Sequence, residues 1–249
     1  MKVEKDGESM GFRGVGATDV GLVRKENQDS YLLLPEQEVY VIADGMGGYA
    51  GGKQASAIAV DTFRTRLASG GVMEQKRIEE AVAEANHRIL EEAQRNHWDG
   101  MGTTFVLAWL SEGLWKVAHI GDSRAYVIGE NSMYALTRDH SLVEELVANG
   151  SISKEEAKTH PHRNVLTKAL GTFPTIQAEW GSVPAEFIGY LLLCTDGLYN
   201  MLDEEILYQT VTDKNLSIED KVALLIGEAN QQGGTDNITV ILLEKEVSG

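Results

Sequence analysis

The sequence is poor in cysteine, with one in 249 residues, and in proline, with four. A lone cysteine excludes an internal disulfide. Cys194 lies in an apolar run with no histidine or basic neighbour in sequence, so it reads as a small buried hydrophobe and not as a nucleophile. With no low-complexity stretch and no internal repeat, nothing in the chain reads as a linker. Positive charge is scarce too: 22 Lys and Arg stand against 38 Asp and Glu, a net charge of −16. That balance argues against sequence-independent binding of nucleic acid and against docking on an anionic membrane surface. No apolar run approaches the roughly 18 residues of a membrane span. Residues 1–10 lack the apolar segment of a secretory signal, so the expected location is cytoplasmic.

What is present suits a soluble globular protein: 43% hydrophobic and 24% charged residues, over a length that can bury a sizeable core. The expected organisation is a polar tail over 1–10 and a single domain over 11–246. Strand-like runs cover residues 12–18, 39–43, 103–110, 114–120, 124–128, 190–194 and 238–243, several joined by short Gly-containing turns. Helical periodicity places Ala55, Ile58, Ala59, Thr62 and Phe63 on one face, then Ile78, Ala81, Val82, Ala85 and Ile89 on another. A late helix starts at Ser217, with Asp220 completing a capping box. The expected fold class is α+β: two packed antiparallel β-sheets flanked by α-helices. Residues of about 139–171 break the strand pattern. They are polar, carry His140, His160 and His162 and hold a second capping box at Ser153 and Glu156, so they read as a flap inserted over a site.

The aspartates fall at strand ends. Asp44 closes an apolar run and is followed by Gly45; Asp196 does the same before Gly197. Asp122 follows a strand, Asp236 precedes the last one, and Asp29 opens the run that contains Tyr31. If those ends converge, several carboxylates share one edge of the fold. Such a group resists ionisation unless a cation is present. Oxygen-only ligation points to a hard divalent ion, Mg²⁺ or Mn²⁺. An Asp-Gly after a strand is also an ordinary turn, and at this point both readings stand. Arg24, five residues before Asp29, would suit a phosphate ligand beside such a cluster, or would be a plain surface arginine.

A competing motif runs from Gly47 to Lys53 and fits the G-x-x-x-x-G-K of a P-loop between a strand and a helix. Gln54 stands where the Mg²⁺-binding Ser or Thr belongs, and Asp44 would set a carboxylate beside the phosphates. The plainer reading is a Gly-rich connection into a helix.

The series Thr18 to Asp29, Ala43-Asp-Gly-Met-Gly-Gly48, Gly100-Met-Gly-Thr-Thr104, His119-Ile-Gly-Asp-Ser-Arg124, Asp139-His-Ser141, Asn164 to Gly171, Thr195-Asp-Gly197 and Gly234-Thr-Asp-Asn237 resembles the successive motifs of bacterial metal-dependent type 2C (PPM) protein phosphatases. The resemblance runs over residues 12–244. It implies hydrolysis of phosphoserine and phosphothreonine in proteins, by a hydroxide bridging two Mn²⁺ or Mg²⁺ ions, with a third ion possible. It implies Asp44 as the carboxylate shared by two metals, Gly45 as a carbonyl ligand, and Asp196 and Asp236 as ligands of the first metal. Asp122, with Asp196, would hold the third metal. Asp29 would be an outer-shell carboxylate, and Arg24 would bind the phosphate. The resemblance also implies phosphorylated protein partners, a Ser/Thr kinase and its substrates; a single domain with few large apolar surface signals is itself expected to be a monomer. The sequence departs from the eukaryotic pattern in having Met46 and no histidine soon after Asp44-Gly45, so the general acid is unassigned. Two other readings are a pseudophosphatase acting as a binding module, which predicts lost metal carboxylates, and the P-loop ATPase.

Overall fold

The computed structural model describes residues 11–68 and 73–246. The expected polar tail over 1–10 lies outside the described residues. The strands are β1 (Phe12–Asp19), β2 (Asp29–Leu34), β3 (Val39–Met46), β4 (Gly102–Thr103), β5 (Phe105–Ser111), β6 (Leu114–Ile120), β7 (Arg124–Ile128), β8 (Met133–Ala135), β9 (Glu179–Pro184), β10 (Tyr190–Cys194) and β11 (Ile238–Lys245). The helices are α1 (Gly48–Leu67), α2 (Gln75–Asn96), α3 (Leu142–Ala148), α4 (Lys154–Thr159), α5 (Asp196–Tyr199), α6 (Glu204–Thr212) and α7 (Ile218–Gln231). One antiparallel sheet has the order β1-β11-β10-β7-β8; the other runs β2-β3-β5-β6-β9, with β4 on β3. This is the expected pair of sheets between helices.

Period-two alternation builds the layers. In β3, Val41 and Ala43 face α1 and α2, where they meet Ala55, Phe63, Ile78 and Ile89. Tyr40 and Ile42 face the other way, onto Leu193 and Ile241 of the opposite sheet. Leu192 and Val240 turn outward to the helical layer that contains Leu207, Val222 and Leu225. Each fully buried side chain of this size contributes about 1.5–3 kcal/mol of hydrophobic stabilisation. The helical faces read from periodicity are those that pack.

Some local features differ from expectation. α1 starts at Gly48, inside the Gly-rich stretch, since Gly47 and Gly48 at φ +120° and +73° turn the chain directly into the helix. Ser217 caps α7 by accepting the Asp220 N–H. The reciprocal capping box forms only at Ser153 and Glu156 among the expected pair. Strands β8 and β9 and helix α5 are too short or too exposed for a strong periodic signature. β9 pairs with β6 alone and buries only Val183, so it shows no apolar alternation.

Candidate active site

The aspartates converge because both sheets end at the same edge. Asp29 stands directly opposite Asp44 in the β2–β3 register. Two like charges so placed destabilise a ladder. The Asp44 backbone is clamped: its N–H donates to Thr104 Oγ1 (3.1 Å), and its carbonyl accepts from Thr104 N–H (2.8 Å) and Thr103 Oγ1 (2.7 Å). Asp196 opens α5 directly after β10, and Asp236 lies two residues before β11. Asp122 sits in the turn from β6 to β7, with its carbonyl accepting from Tyr199 Oη at 3.0 Å. Gly45 is closely overlaid by the first turn of α1. A Cβ there would come within 2.1 Å of the Gly52 carbonyl oxygen.

The cluster resists ionisation. Burial pushes the Asp44 carboxyl well above the usual carboxylate range, and the charges of Asp29, Asp196, Asp122 and Asp236 push it further. Asp196 is raised well above that range by burial, then by Asp122, Asp236 and Asp29, with Arg24 opposing. Asp122 is raised to about 7, first by burial and then by Asp139. Asp44, Asp122, Asp196 and Asp236 nevertheless keep part of their surface open to solvent. A water-borne cation can therefore reach this set of oxygen donors.

Asp29 is the buried member, raised to about 6 chiefly by burial. Its Oδ2 accepts from Thr239 Oγ1 (2.6 Å) and Thr195 Oγ1 (2.9 Å), while Oδ1 is buried without a hydrogen-bond partner. An orphaned carboxylate oxygen beside a group of ionisable carboxyls, with oxygen the only donor type, fits a hard divalent cation and its water. Thr195 and Thr239 were not singled out from the sequence. The available signal was a fully buried hydroxyl at the site end of each of two apolar strands.

Arg24 lies on the loop between β1 and β2, and its Nη2 donates to Asp236 Oδ2 at 2.6 Å. Asn237 holds that loop. Its Oδ1 accepts from the Gln28 N–H (2.8 Å), and its Nδ2 donates to the carbonyls of Val20 (2.9 Å) and Glu26 (3.0 Å). Asn237 thus joins the Arg24 loop to the Asp236 loop, a role its motif alone did not assign.

Other expected groups lie elsewhere. His140 pairs with Glu179, and His160 packs against His162. Cys194 is buried and its thiol pushed up to about 12, which suits packing and not nucleophilic attack. In the P-loop segment, Gly52 lies in a helical turn pressed on Gly45 and Gln28, and the Gln28 Nε2 donates to the Gly48 carbonyl at 2.9 Å. That packing leaves no open backbone cradle for a triphosphate.

The family model for protein phosphatase 2C matches residues 21–231. The chain is 37% identical over 240 residues to the serine/threonine phosphatase stp of Listeria welshimeri, covering 92% of this chain and 94% of that one. It is 36% identical over 233 residues to the protein phosphatase PhpP of Streptococcus pneumoniae, covering 91% and 94%. Among solved structures, the serine/threonine phosphatase Stp1 from Staphylococcus aureus superposes with a TM-score of 0.89 at 32% identity, over 99% of this chain and 100% of that one. The catalytic domain of the serine threonine protein phosphatase PstP, solved in complex with 2 manganese ions, superposes with a TM-score of 0.85 at 27% identity, over 96% and 100%. A motif series in order, two sheets whose aspartates meet at one edge, and likeness over nearly the whole chain agree: this chain belongs to the protein phosphatase 2C family.

Proposed function

We propose that Asp44, Asp196 and Asp236, with the Gly45 carbonyl, hold the two catalytic divalent ions of this protein serine/threonine phosphatase. In the same reading Asp122 and Asp196 hold a third, and Asp29 and Arg24 serve the reaction from either side. Mn²⁺ or Mg²⁺ is the proposed metal. The supporting observation is the meeting of Asp44, Asp122 and Asp196, whose ionisation burial and neighbouring charge oppose.

When bound, the divalent ions supply positive charge and a water acidified to near neutral pH. The chain's own residues do the rest. Arg24 exchanges Asp236 for two oxygens of the substrate phosphate, for which its planar fork is shaped. Asp29, anchored through Oδ2 by two threonine hydroxyls, presents its bare Oδ1 as a place to hold a proton. The threonine clamp on Asp44 keeps its carboxyl placed before substrate arrives.

The proposed substrates are proteins phosphorylated on Ser or Thr by a kinase that this enzyme opposes. The proposed working form is a cytoplasmic monomer. No helix among the described residues is long and apolar enough to cross a membrane. The test is phosphate release from a phosphothreonine peptide. Release is expected with Mn²⁺ and not with EDTA, and neither Asp44→Ala nor Asp236→Ala should support it. Undiminished release by either folded variant would remove that residue from the metal site.

A further inference from the structure

We propose that His140 is a positioning residue for Asp122, tying the root of the flap to the acidic cluster. The proposal rests on the reading of Asp122 as a metal ligand.

His140 and Gly121 are joined twice. The Gly121 N–H donates to His140 Nδ1 at 3.0 Å, and the His140 N–H donates to the Gly121 carbonyl at 2.9 Å. An N–H only donates, so Nδ1 is bare and, in the neutral ring, the proton sits on Nε2. That nitrogen lies 2.9 Å from Glu179 Oε1, which Lys168 Nζ also holds at 2.9 Å. The contact is off the line of a good hydrogen bond, yet it places a carboxylate against the N–H edge. His119 completes the strut. Its Nε2 donates to the Arg138 carbonyl at 2.8 Å, and its ring stacks on His140 with centroids 4.8 Å apart.

His119, His140 and Glu179 also bring ligand atoms within 4.8 Å of one another. They do not make a metal site. A metal lies in the plane of each imidazole it binds, and stacked rings 7° from parallel share no such point. The Gly121 N–H on Nδ1 further requires His140 to keep its proton on Nε2.

The consequence lies one residue on. Gly121 has φ +100°, and a Cβ there would come within 2.5 Å of Thr104 Cγ2. Thr104 is the residue whose hydroxyl holds the Asp44 N–H. The Gly121 peptide is therefore wedged between His140 and the Asp44 clamp, and Asp122 leaves it in a set direction. On the flap side, the His140 carbonyl accepts from the Thr167 N–H at 2.8 Å, so one residue touches both the flap and the Asp122 turn.

Two substitutions separate the two edges of the ring. His140→Asn places an amide oxygen near Nδ1 and can still accept from Gly121. His140→Gln reaches toward Glu179 and leaves the Gly121 N–H without an acceptor. Their Mn²⁺ requirement for phosphopeptide hydrolysis is measured, along with Mn²⁺ binding by calorimetry and hydrogen exchange of the Gly121 amide. His140→Gln is expected to raise the Mn²⁺ requirement and weaken the weakest binding step by about tenfold, the size typical of lost outer-shell support. It should also expose the Gly121 amide. His140→Asn is expected to stay within about twofold of the parent, with the amide protected. If His140→Gln does not fold, His140→Ala takes its place as the variant without an acceptor. Equal behaviour of the two variants overturns the proposal. Asp122→Asn separates the two levels: if it leaves the Mn²⁺ requirement unmoved, the reading of Asp122 fails and the proposal falls with it. If Asp122→Asn raises the requirement while both His140 variants match the parent, only the role of His140 is lost.

Discussion

Asp44 and Asp29 face each other across the β2–β3 ladder. Removing one of those charges should therefore relieve the fold while abolishing the chemistry. Asp44→Asn is expected to raise metal-free stability by about 1 kcal/mol or more, since an amide is spared the cost of a carboxyl whose ionisation burial and its neighbours oppose. The same variant should lose Mn²⁺-induced stabilisation and phosphate release together. Thermal melts in EDTA and in Mn²⁺ read both effects; a variant less stable than its parent in EDTA would contradict this account of the cluster. Arg24→Ala should lower kcat/KM for a phosphopeptide by about 10²-fold, the usual scale for one lost donor to developing charge. Unchanged kcat/KM would show that Arg24 does not meet the phosphate.

At the scale of elements, loops and caps do separable work. Gly21, at φ +78°, sits where a Cβ would come within 2.2 Å of the Asp236 carbonyl oxygen. Gly21→Ala must push the Arg24 loop off the Asp236 loop, at a cost of about 1–3 kcal/mol and with a fall in activity. Ser217→Ala removes the cap of α7, far along the chain from any candidate ligand. It is expected to cost about 1 kcal/mol and to leave kcat unchanged. Denaturant titration and steady-state kinetics on the two variants test the contrast; a Ser217→Ala variant with lowered kcat would tie α7 to the chemistry. Legibility also varied by element. The long amphipathic helices and the central strands were readable because one face of each is buried. The edge strand β9 and the four-residue helix α5 were not, because their contacts come from distant residues and leave no local period.

For the whole molecule, the acidic cluster sets how stability depends on pH. Asp29 and Asp122, raised to about 6 and about 7, hold protons in the folded state that the unfolded chain releases near pH 4. Asp44 and Asp196 are displaced in the same direction. For Asp29 and Asp122 the stabilising contribution is full below pH 4 and is lost as pH rises through 6 to 7. Glu179, lowered to about 2, works in the opposite sense, but its window closes by about pH 4.5. In EDTA the melting temperature is therefore expected to fall between pH 5 and pH 7.5. With Mn²⁺ present, binding favours the ionised carboxylates and should flatten or reverse that trend. A melting temperature that climbs with pH in EDTA would show that the cluster is not the strained element inferred here.

The sequence by itself determined the layers and the identity of the acidic residues. Alternation and helical periodicity are local, and each aspartate is marked by the strand it adjoins. Only the tertiary structure decided that Asp29 faces Asp44, that Thr195 and Thr239 from the opposite sheet hold Asp29, and that Asn237 binds the Arg24 loop. It also joined His140 to Gly121. These contacts link residues with no shared local pattern, and their partners are set by strand order and sheet packing. A periodicity reads one element at a time, whereas the mutual repulsion of these aspartates is complete only once two sheets have met.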